Sequence, residues 1–249
     1  MGCRINPSNP PFLFKPSAEK LRPRLKTITF SSSPSSSSQN QQRPPSSFAT
    51  PDTQTQLPKS EIYSVDFKTL KACKLGISQY PDFEYNAEGG RGTGSGKKVT
   101  ENSLTDEIIS VSFDLNTVYI PPLKSATTKF LGLPLPPFLK IDIVPELFQG
   151  SINKESGKVG LEFKAKFWFS VGSIYKAPPL LVETMLTSEE SNGTMRSGKG
   201  ERLDENGNCR LVGVATVDPI DDFLMNSFLG LPTECLADLS AIISLSASS

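Results

Sequence analysis

Residues Val159–Val171 constrain the fold of this chain more tightly than any other stretch. They read V-G-L-E-F-K-A-K-F-W-F-S-V, apolar at every odd-numbered position. Gly160, Glu162, Lys164, Lys166, Trp168 and Ser170 occupy the even positions. Side chains alternate between the faces of a strand, so this pattern gives one apolar face and one largely polar face. A helix would scatter Glu162, Lys164 and Lys166 around its circumference. At about 3.3 Å per residue the strand spans about 40 Å, longer than a flat sheet usually needs. A strongly coiled sheet or a closed barrel with tilted strands and a bulge accommodates that length best.

Turn signals on both sides extend the pattern. Short alternating runs at 139–144, 147–152, 180–188, 195–203 and 209–217 are separated by Pro145, Pro178-Pro179 and the hairpin signal Asn206-Gly207. Earlier strands are expected at 61–67, 82–88 and 107–113. For the first of these, the alternative is a short helix capped by Asp66, running through Lys74 and stopped at Gly76. The expectation is a mainly β fold, an antiparallel meander of about eight strands. One or two short helices should lie near the C-terminus: one from Asp221 or Asp222 to Leu229, stopped by Gly230. Residues 235–245 read equally as a second helix or a closing strand. The proline-framed block at 121–137 reads as a short helix between extended segments. Its pentapeptide Phe130-Leu-Gly-Leu-Pro134 recurs at 228–232, with glycine in a helix-stopping position.

The first 48 residues do not share this patterning. They contain Ser31-Ser-Ser-Pro-Ser-Ser-Ser-Ser38 and seven Lys/Arg against a single acid, Glu19. Such a composition cannot bury enough apolar surface to offset its ordering entropy. Basic, hydroxylated and acid-poor, it is the composition of an organelle transit peptide, and its serine density favours the chloroplast. Residues 1–48 are thus expected to be a disordered transit peptide, 49–60 a linker and 61–249 a single β-rich domain, in the stroma or associated with thylakoids. Of the 26 basic and 26 acidic residues in the chain, 19 and 25 then remain in residues 49–249. A body of about −6 is a poor partner for a phosphate backbone, so nucleic acid is not expected. No run of eighteen apolar residues marks a transmembrane helix.

The chain has no histidine. Ser-His-Asp and Cys-His catalysis, HExxH zinc sites and facial-triad iron are therefore excluded. Carboxylate, lysine or cysteine chemistry stays open, but a role without catalysis, metal or cofactor is the expectation. Cys73, Cys209 and Cys235 of the body are odd in number and widely spaced, which argues for reduced thiols. The segment 89–98 (G-G-R-G-T-G-S-G-K-K) fails as a phosphate loop. Aligning Gly96-Lys97 with a Walker A puts Arg91 where glycine is needed and Lys98 where a hydroxyl is needed. A mobile hairpin loop is expected there. Asp218, Asp221 and Asp222 form an acidic cluster whose last two members suit a helix N-terminus.

Two features remain as candidate sites. Leu161, Phe163, Phe167 and Phe169 form a row that either fills the core or lines a cavity for a lipid, pigment or quinone. Trp168, the only tryptophan, falls on the polar face and marks a candidate contact with a plastid protein complex. The serine-rich leader and acidic β-rich body resemble plastid lipid-associated proteins, the fibrillins, in organisation. That resemblance implies a lipocalin-like barrel. The blocks 130–141, 178–187 and 211–232 look similar to a family of plant and algal plastid proteins with no assigned activity. Together these readings lead to a non-catalytic chloroplast protein that binds a hydrophobic small molecule or lipid near thylakoids. The alternative is an assembly or scaffold factor for a plastid complex.

Overall fold

A computed structural model describes residues 61–77, 79–99 and 107–247. The expected transit peptide and linker lie outside the described residues. The fold is mainly β and antiparallel. Strands β1 (Ile62–Thr69), β2 (Cys73–Ile77), β3 (Tyr80–Tyr85), β4 (Arg91–Val99) and β5 (Ile108–Phe113) come first. The short β6 (Leu123–Lys124), β7 (Thr128–Phe130) and β8 (Leu133–Pro134) precede the long neighbours β9 (Leu139–Asn153) and β10 (Val159–Val171). After these come β11 (Tyr175–Lys176), β12 (Leu180–Thr187), the small hairpin of β13 (Glu190–Asn192) and β14 (Ser197–Lys199), and β15 (Asn208–Val217). Helix α1 (Phe223–Leu229) and β16 (Thr233–Ala247) complete the described chain.

The hydrogen-bonded order β1–β4–β5–β9–β10–β12–β15–β16 returns to β1, so eight strands form a ring. Its regularity varies. β9 and β10 stay paired along the whole of Val159–Val171, across a bulge at Lys164/Ala165 that leaves Glu146 unmatched. A bulge bends and twists a long pair, which lets these two strands coil instead of projecting flat. β12 and β15 meet in register only at Thr187 and Val212. Beyond that point side chains replace the ladder. The Thr184 hydroxyl donates to the Val214 carbonyl (2.8 Å), and the Ser191 hydroxyl accepts from the Val214 N–H (3.0 Å). Along its other edge β16 pairs first with β2 and then with β1, and β9 likewise pairs with both β6 and β5. The long strands therefore serve two tiers of core. One is built around Val65, Ile109, Ile152, Leu161 and Ile243, the other around Cys73, Tyr85, Leu123 and Leu135. A third cluster packs Met225 and Leu229 of α1 against Phe169 and Leu180.

Several expectations need correction. Residues 91–99 are a ring strand, not a mobile loop, paired with β1 and β5. Gly92, Gly94 and Gly96 alternate with the exposed Arg91, Thr93, Ser95 and Lys97. A Cβ on Gly94 would stand 2.4 Å from the Ser112 carbonyl oxygen, and one on Gly96 would stand 2.7 Å from the Ile109 side chain. Glycine sits on the inward face because neighbouring strands already fill that space. The block 128–134 contains no helix. There Phe130-Leu-Gly-Leu-Pro turns a tight hairpin through Leu131 (φ 51°) and Gly132 (φ 78°). At 228–232 the same pentapeptide does stop a helix: Asp222 caps the N-terminus of α1 through the Met225 N–H, and Gly230 (φ 66°) ends it. The undecided C-terminal segment is the closing strand β16, and α1 is the one helix among the described residues. The alternative helix at 66–74 does not form. β1 instead buries Tyr63, Val65 and Phe67 on one face.

Candidate functional site

The predicted apolar row divides along β10. Leu161 is fully buried in the tier built around Ile109 and Ile152, and Phe163 packs edge-on to Phe148 with ring centroids 5.8 Å apart. Phe163 and Phe167 both line an apolar slot of about 80 Å³ where the two tiers of core meet. Phe169 lies elsewhere, beside Tyr175 (6.1 Å) and Phe228 of α1 (6.3 Å). Trp168 is half-buried on the outer face, with the Lys176 ammonium 5.0 Å from its ring centroid. That contact leaves the indole only partly available to a partner.

Phe67, Phe148, Leu75 and Leu239 contribute to the slot wall from four other strands. Its polar neighbours are satisfied internally. The Thr69 hydroxyl donates to the Ala87 carbonyl (2.6 Å), and the Tyr85 hydroxyl donates to the Pro121 carbonyl. Burial pushes the Tyr85 phenol well above its ordinary pKa. Arg91 and Tyr119 line the slot where it approaches solvent. Their backbones exchange hydrogen bonds of 3.0 and 2.8 Å, and the guanidinium carbon lies 5.8 Å from the phenol ring centroid. The arrangement is an apolar crevice with a cation and an amphipathic ring at its open side.

Among the described residues no group of three or more His, Cys, Asp or Glu could hold a metal ion. Asp218 and Asp221 are exposed, Asp222 serves as the α1 cap, and none of the three lines the slot. Cys73, Cys209 and Cys235 are free thiols, and burial pushes the last two up to about 12 and about 11. Thiols so placed are poor nucleophiles at neutral pH.

Glu234 is the most strongly held carboxylate, and its task is structural. The Thr194 hydroxyl (2.5 Å) and the N–H groups of Thr194, Met195 and Arg196 (2.7–2.9 Å) all donate to it. The Thr194 hydroxyl bond leads in lowering its pKa from 4.5 to about 2, with the backbone donors adding to it. The β13–β14 loop that covers the weak β12–β15 seam is thus pinned to β16. A lowered folded pKa stabilises fully above the unfolded value and less as pH falls toward the folded one. Glu234→Gln is therefore expected to lower the melting temperature at pH 7, with the gap to wild type narrowing between pH 4.5 and about 2. Thermal melts of the two proteins across that range measure the effect.

Phe163 and Phe167 of the predicted row line the slot, together with Arg91 and Tyr119, which the sequence does not single out. The only local signal for the latter pair was Tyr119 within the apolar run Val118-Tyr119-Ile120 before Pro121. Comparison with protein-family models finds no match. Neither the curated proteins nor the solved structures include one that matches the chain.

Proposed function

We propose that this is a non-catalytic chloroplast protein whose lipocalin-like barrel takes the slender apolar chain of a lipid or quinone near thylakoids. The slot beneath Arg91 and Tyr119, with Phe163 and Phe167 in its wall, carries this reading. Its size decides among ligands. The slot measures about 80 Å³. Sites that enclose whole small molecules run to about 300–1,000 Å³. A bulky pigment ring is therefore disfavoured, whereas the end of an acyl or prenyl chain suits the slot, with its polar head outside. Arg91 has no carboxylate partner among the described residues, which favours a head group carrying negative charge. The leader composition supports the chloroplast.

Titration with a fluorescent polyene C18 fatty acid tests the reading. Ala237 lines the slot, and Ala237→Phe fills it. Wild type is expected to bind the probe, and the variant at least about tenfold more weakly, equivalent to about 1.4 kcal/mol, with its melting temperature retained. Equal affinities in the two proteins would overturn the assignment. An assembly role is the second reading, supported by the Trp168–Lys176 pair on the outer face.

A further inference from the structure

Seven large apolar side chains stand exposed at one end of the molecule, away from the slot. They are Leu131, Leu133, Phe138, Ile174, Phe223 and Leu224, with Phe228 beside them. Ile174 is 92 % exposed, Phe223 87 % and Phe138 79 %. Short contacts show that they share one end. The Phe138 carbonyl accepts from the Gly172 N–H at 2.9 Å, beside the turn that carries Ile174. The Phe228 ring lies 6.3 Å from Phe169 and 5.8 Å from Tyr80, and Tyr80 in turn lies 6.3 Å from Phe130, where the 131–133 turn begins.

Backbone geometry sets this end apart. Leu131 (φ 51°) and Phe138 (φ 76°) are the only non-glycine residues with positive φ among those described. Bulky side chains rarely adopt that conformation, which costs about 1–3 kcal/mol. Here both of them place an apolar group in water. Helix α1, F-L-M-N-S-F-L, buries Met225 and Leu229 while exposing Phe223, Leu224 and Phe228, so it is apolar on both sides.

We infer that this end inserts its apolar tips into the surface of a lipid bilayer with neutral headgroups. Three observations select that occupant. The tips come from separate turns and a helix, and a fluid hydrocarbon layer receives separate knobs without needing a complementary mould. Trp168 and Lys176 flank them as an amphipathic pair of the kind that sits at headgroup level. Nearby charges are mixed, with Lys129, Lys140 and Lys176 interspersed with Asp142, Asp218 and Asp221, so attraction to anionic lipid does not supply the affinity. Among the described residues no helix is long and apolar enough to cross a membrane. The contact is with the surface, and it stands independently of the slot.

Co-sedimentation of the full chain with phosphatidylcholine vesicles tests this. Wild type is expected to pellet with vesicles equally at 50 and 500 mM salt, within about a Debye-screening correction. The triple variant Leu131→Asn, Ile174→Ser, Phe223→Ser is expected to bind at least about tenfold more weakly. Asn is chosen because it tolerates positive φ. Ile174→Ser alone, in an exposed turn, is expected to show a partial loss and serves if the triple variant fails to fold. Ala237→Phe should pellet like wild type, which separates this surface from the slot. Wild type left in the supernatant, loss of binding in high salt, or variants that pellet like wild type would overturn the inference. Self-association abolished by the same substitutions, without vesicle binding, would overturn it in favour of a second copy of the chain.

Discussion

Gly150→Ala is expected to destabilise the domain by about 3 kcal/mol, at the upper end of what overpacking a core usually costs. Gly150 lies on the inward face of β9 between the buried Phe148 and Ile152, in register with Val111 of β5 and Leu161 of β10. A Cβ there would stand 2.0 Å from the Gly160 carbonyl oxygen and 2.8 Å from the Leu161 Cα. Both obstacles are backbone, so no side-chain rotation relieves them. The only escape is to part β9 from β10 there. Urea unfolding reads the result as a lowered midpoint with an unchanged slope. A variant as stable as wild type would mean that the two strands do not approach this closely.

Phe148→Ala is expected to cost about 3–5 kcal/mol, the usual range for deleting a buried aromatic ring. The ring stacks on Phe113 at 4.3 Å and meets Phe67 and Phe163 edge-on at 5.2 and 5.8 Å, which ties β1, β5, β9 and β10 together. Because Phe148 also forms part of the slot wall, its removal enlarges the slot. The variant is expected to lose stability yet bind the fluorescent fatty acid at least as well as wild type. Denaturant midpoints with and without the probe measure both effects, since a ligand that binds only the folded state raises the midpoint. A loss of stability with no binding by either protein would leave Phe148 as core alone and count against the slot.

The legible parts of the fold were those in which side chains announce their face. The stripe along β10 and the buried set Tyr63, Val65 and Phe67 of β1 follow from period-2 alternation. β4 was misread because its inward positions are glycines. Hydropathy has nothing to register where Phe113, Ile109 and Tyr63 from neighbouring strands occupy the interior instead. β16 was ambiguous because one of its edges is shared between β2 and β1, and its burial does not alternate cleanly. The repeated Phe-Leu-Gly-Leu-Pro could not be resolved locally. Ladder pairing of Lys129 with Pro134 makes one copy a hairpin, and the Asp222 cap makes the other a helix end. At the site, the row Phe163 and Phe167 was visible in the sequence. Arg91 and Tyr119 were not, because their bridge joins segments far apart in the chain.

Native mass spectrometry of the intact chain, purified without detergent and followed by lipid extraction, tests the central claim most directly. A folded species carrying one hydrophobic molecule is expected, the molecule being released by organic solvent and absent from Ala237→Phe. A ligand-free mass for wild type, unchanged after incubation with fatty acid, would contradict it.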